Sequence, residues 1–243
     1  MKQTLIDSHC HVDLYDNPLA IAQAAERAGI LTVAVTYLPS HYIQAKLHLN
    51  GFQYVRPALG LHPQVADQHE REIQAFIEQA KDAEYIGEVG LDFSKEYRLT
   101  QEVQERSFAR VIDSIKDRQR FVTLHSRGAE LAVLSQLTSA RMYPVVFHWF
   151  SGSQTQLLQV LDAGHYVSFN TKMIGSARWE EDIMRVPKAR VLTETDGPFV
   201  REGRKIAVPQ DTQNVIKWLA KSWAVSIEEA MHQVAVNFSV LLK

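Results

Sequence analysis

The run Ile86-Gly87-Glu88-Val89-Gly90-Leu91-Asp92 is apolar apart from its carboxylates, and glycines stand on either side of Glu88. A strand near 84–90 fits it, with a carboxylate at the end where the chain would leave a sheet. The glycines allow another backbone to approach closely and remove bulk beside the carboxylate. Similar short runs recur near 4–8, 31–36, 54–60, 121–126, 143–149, 165–170 and 190–195, which makes eight expected strands. Between them lie apolar residues at helical spacing, such as Ile21, Ala24, Ala25 and Ala28, or Ile73, Phe76, Ile77 and Ala80. Gly29, Gly51 and Gly164 fall just past three of these segments, where a left-handed cap residue is useful. Alternation of this kind marks βαβ units and a parallel sheet.

Eight such units could wind as an open sheet or close as a barrel, and the positions of the polar residues decide between them. His9 and His11, Thr36, His62, Glu88 and His125 follow the first five runs, and His148, Asn170, Glu194 and Asp196 follow the last three. A barrel brings those ends to one face, where barrel enzymes carry their chemistry, whereas an open sheet spreads them out. The expected fold is therefore a TIM-type (β/α)8 barrel. Beyond Asp196 a loop from Gly197 to Pro209 precedes helices expected near 210–222 and 226–235. With no internal repeat or composition shift, one domain over 1–243 is the economical organisation.

Hydrophobic residues at 46% and charged residues at 22% suit an ordinary globular chain rather than a disordered one. A formal net charge of −2 means that any polyanion must be held by a local patch or a bound metal. No apolar run approaches the ~18 residues of a membrane span, and a cytoplasmic location is expected. The single cysteine, Cys10, excludes an internal disulfide and any multi-cysteine metal site. On a strand it points away from both His9 and His11, so it is expected to pack beneath the barrel.

His9 and His11, two apart on an extended segment, project to the same side and can share a metal ion. Alone, such a pair would read as surface histidines after a strand. The rest of the set changes that reading. Glu88 has two oxygens and can bridge two cations, and His125 and His148 end successive apolar strands. Burying so many imidazoles without a cation would leave ring nitrogens wanting partners. Asp196, in Val191-Leu192-Thr193-Glu194-Thr195-Asp196-Gly197-Pro198, can be a ligand and the base that deprotonates water. Glu194 is placed to orient a histidine. Six ligands, His9, His11, Glu88, His125, His148 and Asp196, suffice for two divalent ions, with Glu88 and Asp196 as the catalytic pair. Nitrogen and oxygen ligation without thiolate suits Zn, Mn, Co or Ni, with Mg at a more oxygen-rich position.

These residues occur within Asp7-Ser8-His9-Cys10-His11-Val12-Asp13, Gly60-Leu61-His62-Pro63, Gly87-Glu88-Val89-Gly90-Leu91-Asp92, His125-Ser126-Arg127, His148-Trp149-Phe150-Ser151-Gly152 and Glu194-Thr195-Asp196-Gly197-Pro198. Six motifs in this order resemble the TatD family of metal-dependent deoxyribonucleases, which implies a (β/α)8 barrel of the metal-dependent hydrolase (amidohydrolase-like) superfamily. Asn237-Phe238 resembles the family's last helix. The resemblance implies that His9, His11 and Asp196 hold one metal with Glu88, and that Glu88, His125 and His148 hold the other. It also implies hydrolysis of DNA phosphodiester bonds, exonucleolytic in type, with Mg, Mn or Zn. His62 and Asp92 would support the ligands or face substrate.

Leu14-Tyr15-Asp16-Asn17-Pro18, His148-Trp149-Phe150-Ser151-Gly152 and Asp196-Gly197-Pro198-Phe199 further resemble the TatD-like component of Qat anti-phage systems. That likeness implies partners, among them an ATPase. The chain departs from the general family pattern at Gly197, where Ala is usual, and at Arg201-Glu202-Gly203-Arg204-Lys205 with Ala207-Val208-Pro209. Those positions rim the site, so they bear on substrate preference. Arg127, Lys172 and Arg201 are candidate phosphate contacts on barrel-top loops, and Trp149 and Phe199 could stack a base. Two other functions use the same residues: a small-molecule amide or ester hydrolase on the same barrel, and a binding subunit of a defence assembly.

Overall fold

The computed structural model describes residues 4–242; residues 1–3 and 243, included in the expected single domain, lie outside the described residues. The strands are β1 (Ile6–Cys10), β2 (Leu31–Ala34), β3 (Val55–Pro57), β4 (Leu59–Leu61), β5 (Tyr85–Gly90), β6 (Phe121–His125), β7 (Val146–Phe147), β8 (Tyr166–Phe169) and β9 (Val191–Thr193). All pair in parallel, β1 through β3 in one ladder and β4 through β9 in another. β3 and β4 are two halves of one strand interrupted at Ala58, whose N–H donates to Ala34 O at 2.9 Å. The ring closes where Asp196 N donates to His9 O at 2.9 Å and the Thr193 hydroxyl donates to Ile6 O. Eight strand positions therefore make the expected barrel, counting β3 and β4 as one.

The helices outside the strands are α1 (Pro18–Ala28), α2 (Pro39–His48), α3 (His69–Gln79), α4 (Gln101–Ile115), α5 (Glu130–Ser139), α6 (Gln154–Asp162), α7 (Thr171–Ile174), α8 (Ala177–Asp182), α9 (Thr212–Trp223) and α10 (Ile227–Leu241). Gly29 ends α1 in the left-handed region at φ 67°, and Gly51 and Gly164 adopt φ 87° and 88°, as their places after helices suggested. In α10, Asn237 donates to Lys188 O at 2.7 Å and to Val191 O at 2.8 Å, which ties the last helix to the start of β9. No described helix is long and apolar enough to cross a membrane.

Three boundaries differ from the sequence expectation. β1 begins and ends two residues later than 4–8, so His9 belongs to the strand itself. The run 143–149 forms a ladder only at Val146–Phe147, because Pro144 lacks an N–H to donate. Between Gly197 and Pro209 the expected plain loop contains a small antiparallel hairpin, β10 (Arg201–Glu202) with β11 (Lys205–Ile206). Cys10 is fully buried among Ala22, Ala25, Ala34, Leu49 and Val55, beneath α1 and away from the histidines. Burial pushes its thiol well up, so it is a packing residue.

Candidate metal centre

Period-two geometry puts His9 and His11 on the same side of the chain as it leaves β1, and their Nε2 atoms are 3.4 Å apart. Asp196 Oδ1 lies 3.6 Å from His9 Nε2 and 3.5 Å from His11 Nε2, so the three donors face one point. Glu88, near the end of β5, separates its two oxygens. Oε1 lies 2.6 Å from His125 Nδ1 and 2.8 Å from His148 Nε2, while Oε2 lies 2.9 Å from His62, 3.1 Å from His11 and 3.4 Å from His9. The six expected ligands thus meet at one end of the barrel. Three buried or nearly buried triads of ligand atoms result: His9, His11 and Asp196; His9, Glu88 and His148; His62, Glu88 and His125.

The local backbone explains how they converge. Gly90 has φ 138°, and a Cβ there would sit 2.0 Å from His125 O, so the glycine lets β5 and β6 close up beside the carboxylate. Asp196 and Trp149 occupy the left-handed region at φ 47° and 36°, a costly conformation for residues with a Cβ. Both are held: Asp196 N by His9 O, and Trp149 N by Glu194 Oε1 at 3.0 Å. Glu194 also accepts from Asn170 Nδ2 at 3.0 Å and from the Ser168 hydroxyl, and its Oε2 is 3.7 Å from His148 Nδ1. Asp92 lies 2.9 Å from His125 Nε2 and accepts from Gln64 Nε2 at 2.8 Å. His9 Nδ1 meets Thr123 Oγ1 at 2.8 Å, leaving Nε2 for the cluster.

Charges follow from these neighbours. Burial lowers His9 to about 3 and His62 to about 4, against the pull of Glu88. Burial also opposes charge on Glu88, yet the imidazoles around it hold its carboxyl well below the usual range. His148 is pushed well up despite its burial, because Glu88 and Glu194 flank it. Burial raises Asp196 to about 7, in spite of His148 and His11. Asp196 Oδ1, His11 Nδ1 and His148 Nδ1 are buried without a hydrogen-bond partner among the described residues. Of these, Asp196 Oδ1 faces the Nε2 atoms of His9 and His11, and an orphaned acceptor beside converging imidazole nitrogens is what a divalent cation satisfies, so the residues fit a metal centre.

Over this floor opens a cavity of about 500 Å³. Arg127, Trp149 and Phe199, named from the sequence, line it. Lys172 on α7 and Arg201 on β10 are exposed and are not among the residues that line it. His62, expected to support the ligands or face substrate, lines the cavity and is in direct contact with Glu88. Ser151, within the 148–152 motif, also lines the cavity, as do Tyr37 and Gln64, which no motif marked. The only sequence signal for Tyr37 is its place one residue after the polar strand end Thr36.

A glycine decides the last wall. A Cβ on Gly197 would fall 1.8 Å from the Tyr15 hydroxyl, which donates to Ala207 O on the far side of the 197–209 loop. His11 N donates to Gly197 O at 2.8 Å, so the same turn braces a metal-facing histidine.

Residues 6–243 match the family described as TatD related DNase. The chain belongs to the TatD family. Similar relatives include human deoxyribonuclease TATDN3, 27% identical over 96% of this chain and 92% of that protein. The uncharacterized metal-dependent hydrolase YcfH of Escherichia coli K12 is 29% identical over 98% and 95%. The 3'-5' ssDNA/RNA exonuclease TatD of Pectobacterium atrosepticum is 31% identical over 74% and 71%. Among solved structures, the TatD homologue YJJV from Escherichia coli K12 superposes with a TM-score of 0.87 at 22% identity, covering 98% of this chain and 97% of that one. The Escherichia coli phosphotriesterase homology protein, complexed with phosphate, gives 0.66 at 15% identity over 99% and 98%. At such identities these two speak for the barrel alone. This TatD-family chain thus carries a metal-dependent hydrolase barrel with its polar strand ends gathered beneath one cavity.

Proposed function

We propose that the chain hydrolyses phosphodiester bonds of DNA from a strand end, using two divalent cations among Mg, Mn and Zn. The supporting observation is the division of Glu88, whose two oxygens face different sets of imidazoles within a buried donor cluster. His9, His11 and Asp196 would hold one ion, His125 and His148 the other, with Glu88 spanning both. Bound there, the ions supply Lewis-acid polarisation of a phosphoryl group and acidify water. Asp196, its Oδ1 turned toward His9 and His11, takes the proton of the attacking water on its carboxylate. Glu194 keeps His148 and the Trp149 backbone in place, and Asp92 orients His125. Arg127 meets a phosphate, and Trp149 and Phe199 stack the terminal base, in a cavity of a size for one nucleotide rather than a duplex.

The test is a 5'-labelled single strand incubated with Mg, Mn or Zn, together with metal analysis of the purified protein. Laddering from the unlabelled end is expected. Glu88→Gln should lower the rate by more than about 100-fold, the upper limit for residues that merely support ligands, and should reduce the ions held per chain. Hydrolysis of a non-nucleotide ester or amide without DNA cleavage would transfer the reading to a small-molecule hydrolase.

A cytoplasmic role as the nuclease of a Qat-type anti-phage system, beside an ATPase, belongs to the same proposal. It rests on the motifs at 14–18, 148–152 and 196–199. Loss of phage protection when Glu88→Gln is placed in the complete system would support it, and full protection would refute it.

A further inference from the structure

The cavity wall offers several hydrogen-bond donors, and some are already committed within the protein. Gln64 Nε2 donates to Asp92 at 2.8 Å, and the Ser151 hydroxyl donates to Glu130 at 2.9 Å. Tyr37 is different. Its ring stacks on His62 with centroids 4.1 Å apart and planes 15° from parallel, and it meets His11 edge to face at 5.3 Å. Its carbonyl accepts from His62 N at 2.8 Å, so backbone and ring are both fixed against the same histidine. Its hydroxyl, in contrast, has no partner among the described residues. A half-buried phenol with a locked ring and an unspent O–H on a cavity wall is a donor oriented before the ligand arrives.

We propose that Tyr37 contacts substrate directly, its hydroxyl donating to a phosphoryl oxygen on the His62–Glu88 side of the site. The phosphoryl class rests on the phosphodiesterase reading above. One face of the ring is spent on His62, which leaves the O–H as the group able to act. The donor is neutral, so it adds affinity for an anion without repelling the metal ions that His62, Glu88 and His125 can face. The ring gives a competing, structural role, holding His62 in place, and the two roles separate by substitution.

Tyr37→Phe keeps the ring on His62 and deletes only the hydroxyl; Tyr37→Leu removes both. Each would be compared with the wild-type protein loaded with Mn, measuring kcat and KM on a single-stranded oligonucleotide, the Kd of inorganic phosphate by calorimetry, ions per chain and Tm. Tyr37→Phe should lower kcat/KM and weaken phosphate binding by about 10- to 100-fold, the range of a hydrogen bond to a charged group. Ions per chain and Tm should stay at the wild-type level. Wild-type kinetics and phosphate affinity in Tyr37→Phe, with damage confined to Tyr37→Leu, would overturn the proposal and leave Tyr37 as a support for His62. If the wild-type protein cuts no DNA, a Tyr37→Phe loss of phosphate affinity would uphold the contact while the nuclease reading falls. Absence of both cleavage and phosphate binding in the wild type would overturn both.

Discussion

Replacing Gly197 with alanine would put a methyl carbon 1.8 Å from the Tyr15 hydroxyl and 2.6 Å from Ala207 O. Ordinary contact begins near 3.4 Å, so the hydroxyl must retreat by roughly 1.5 Å or the turn must move by as much. Overpacking of this kind costs about 1–3 kcal/mol. The displaced Tyr15 also loses its bond to Ala207 O, worth about 0.5–1.5 kcal/mol. Destabilisation of about 2–4 kcal/mol is therefore expected, read as a shift in urea midpoint. Asp196 directly precedes the affected turn, and misplacing a reacting group by about 1 Å can cost about 100-fold in rate, so nuclease activity should fall by a similar factor. Tyr15→Phe removes the clashing oxygen and leaves the ring carbon, 3.0 Å away, as the nearest atom of that side chain. In the double variant Tyr15→Phe/Gly197→Ala, about 1 kcal/mol or more should return relative to the sum of the single effects. Unchanged stability in Gly197→Ala, or strictly additive effects in the pair, would refute the view that the hydroxyl fills the space of a side chain at 197.

Glu194→Gln would set an amide N–H₂ against neighbours that are themselves donors, Trp149 N, Asn170 Nδ2 and the Ser168 hydroxyl. Metal affinity or turnover should drop by about 10- to 100-fold, and a variant with wild-type values in both assays would remove Glu194 from the supporting set. His165, away from the site, accepts from Val145 N through Nδ1, and burial with the nearby Arg190 lowers it from 6.5 to about 4. The unfolded chain takes up a proton on falling through 6.5 that the folded chain refuses until about 4. The stability present above that window is lost across it, by up to about 3 kcal/mol. Urea melts of metal-free protein should show a shallower loss between those pH values in His165→Gln, and an identical pH slope would contradict the assignment.

Much of the barrel was legible because its signal is local. Short apolar runs with polar ends, helical spacing between them and glycines after helices each follow from the chain's own periodicity, and they recur in β1 through β9 with shifts of a few residues. The convergence of His9, His11, Glu88, His125, His148 and Asp196 was legible too, since closing a parallel barrel necessarily brings strand ends together. Distances between side chains on different strands are not written in any one segment. Only the packed structure set His62 against Glu88 and separated the two oxygens of Glu88. The same holds for Tyr37 and Gly197. Their neighbours, His62 and Tyr15, come from distant positions in the chain, and their meeting depends on the stagger of strands and the path of a loop, which tertiary packing fixes. The sequence determined which residue types could meet at the barrel mouth; the fold decided which atoms face one another and which donors remain unspent.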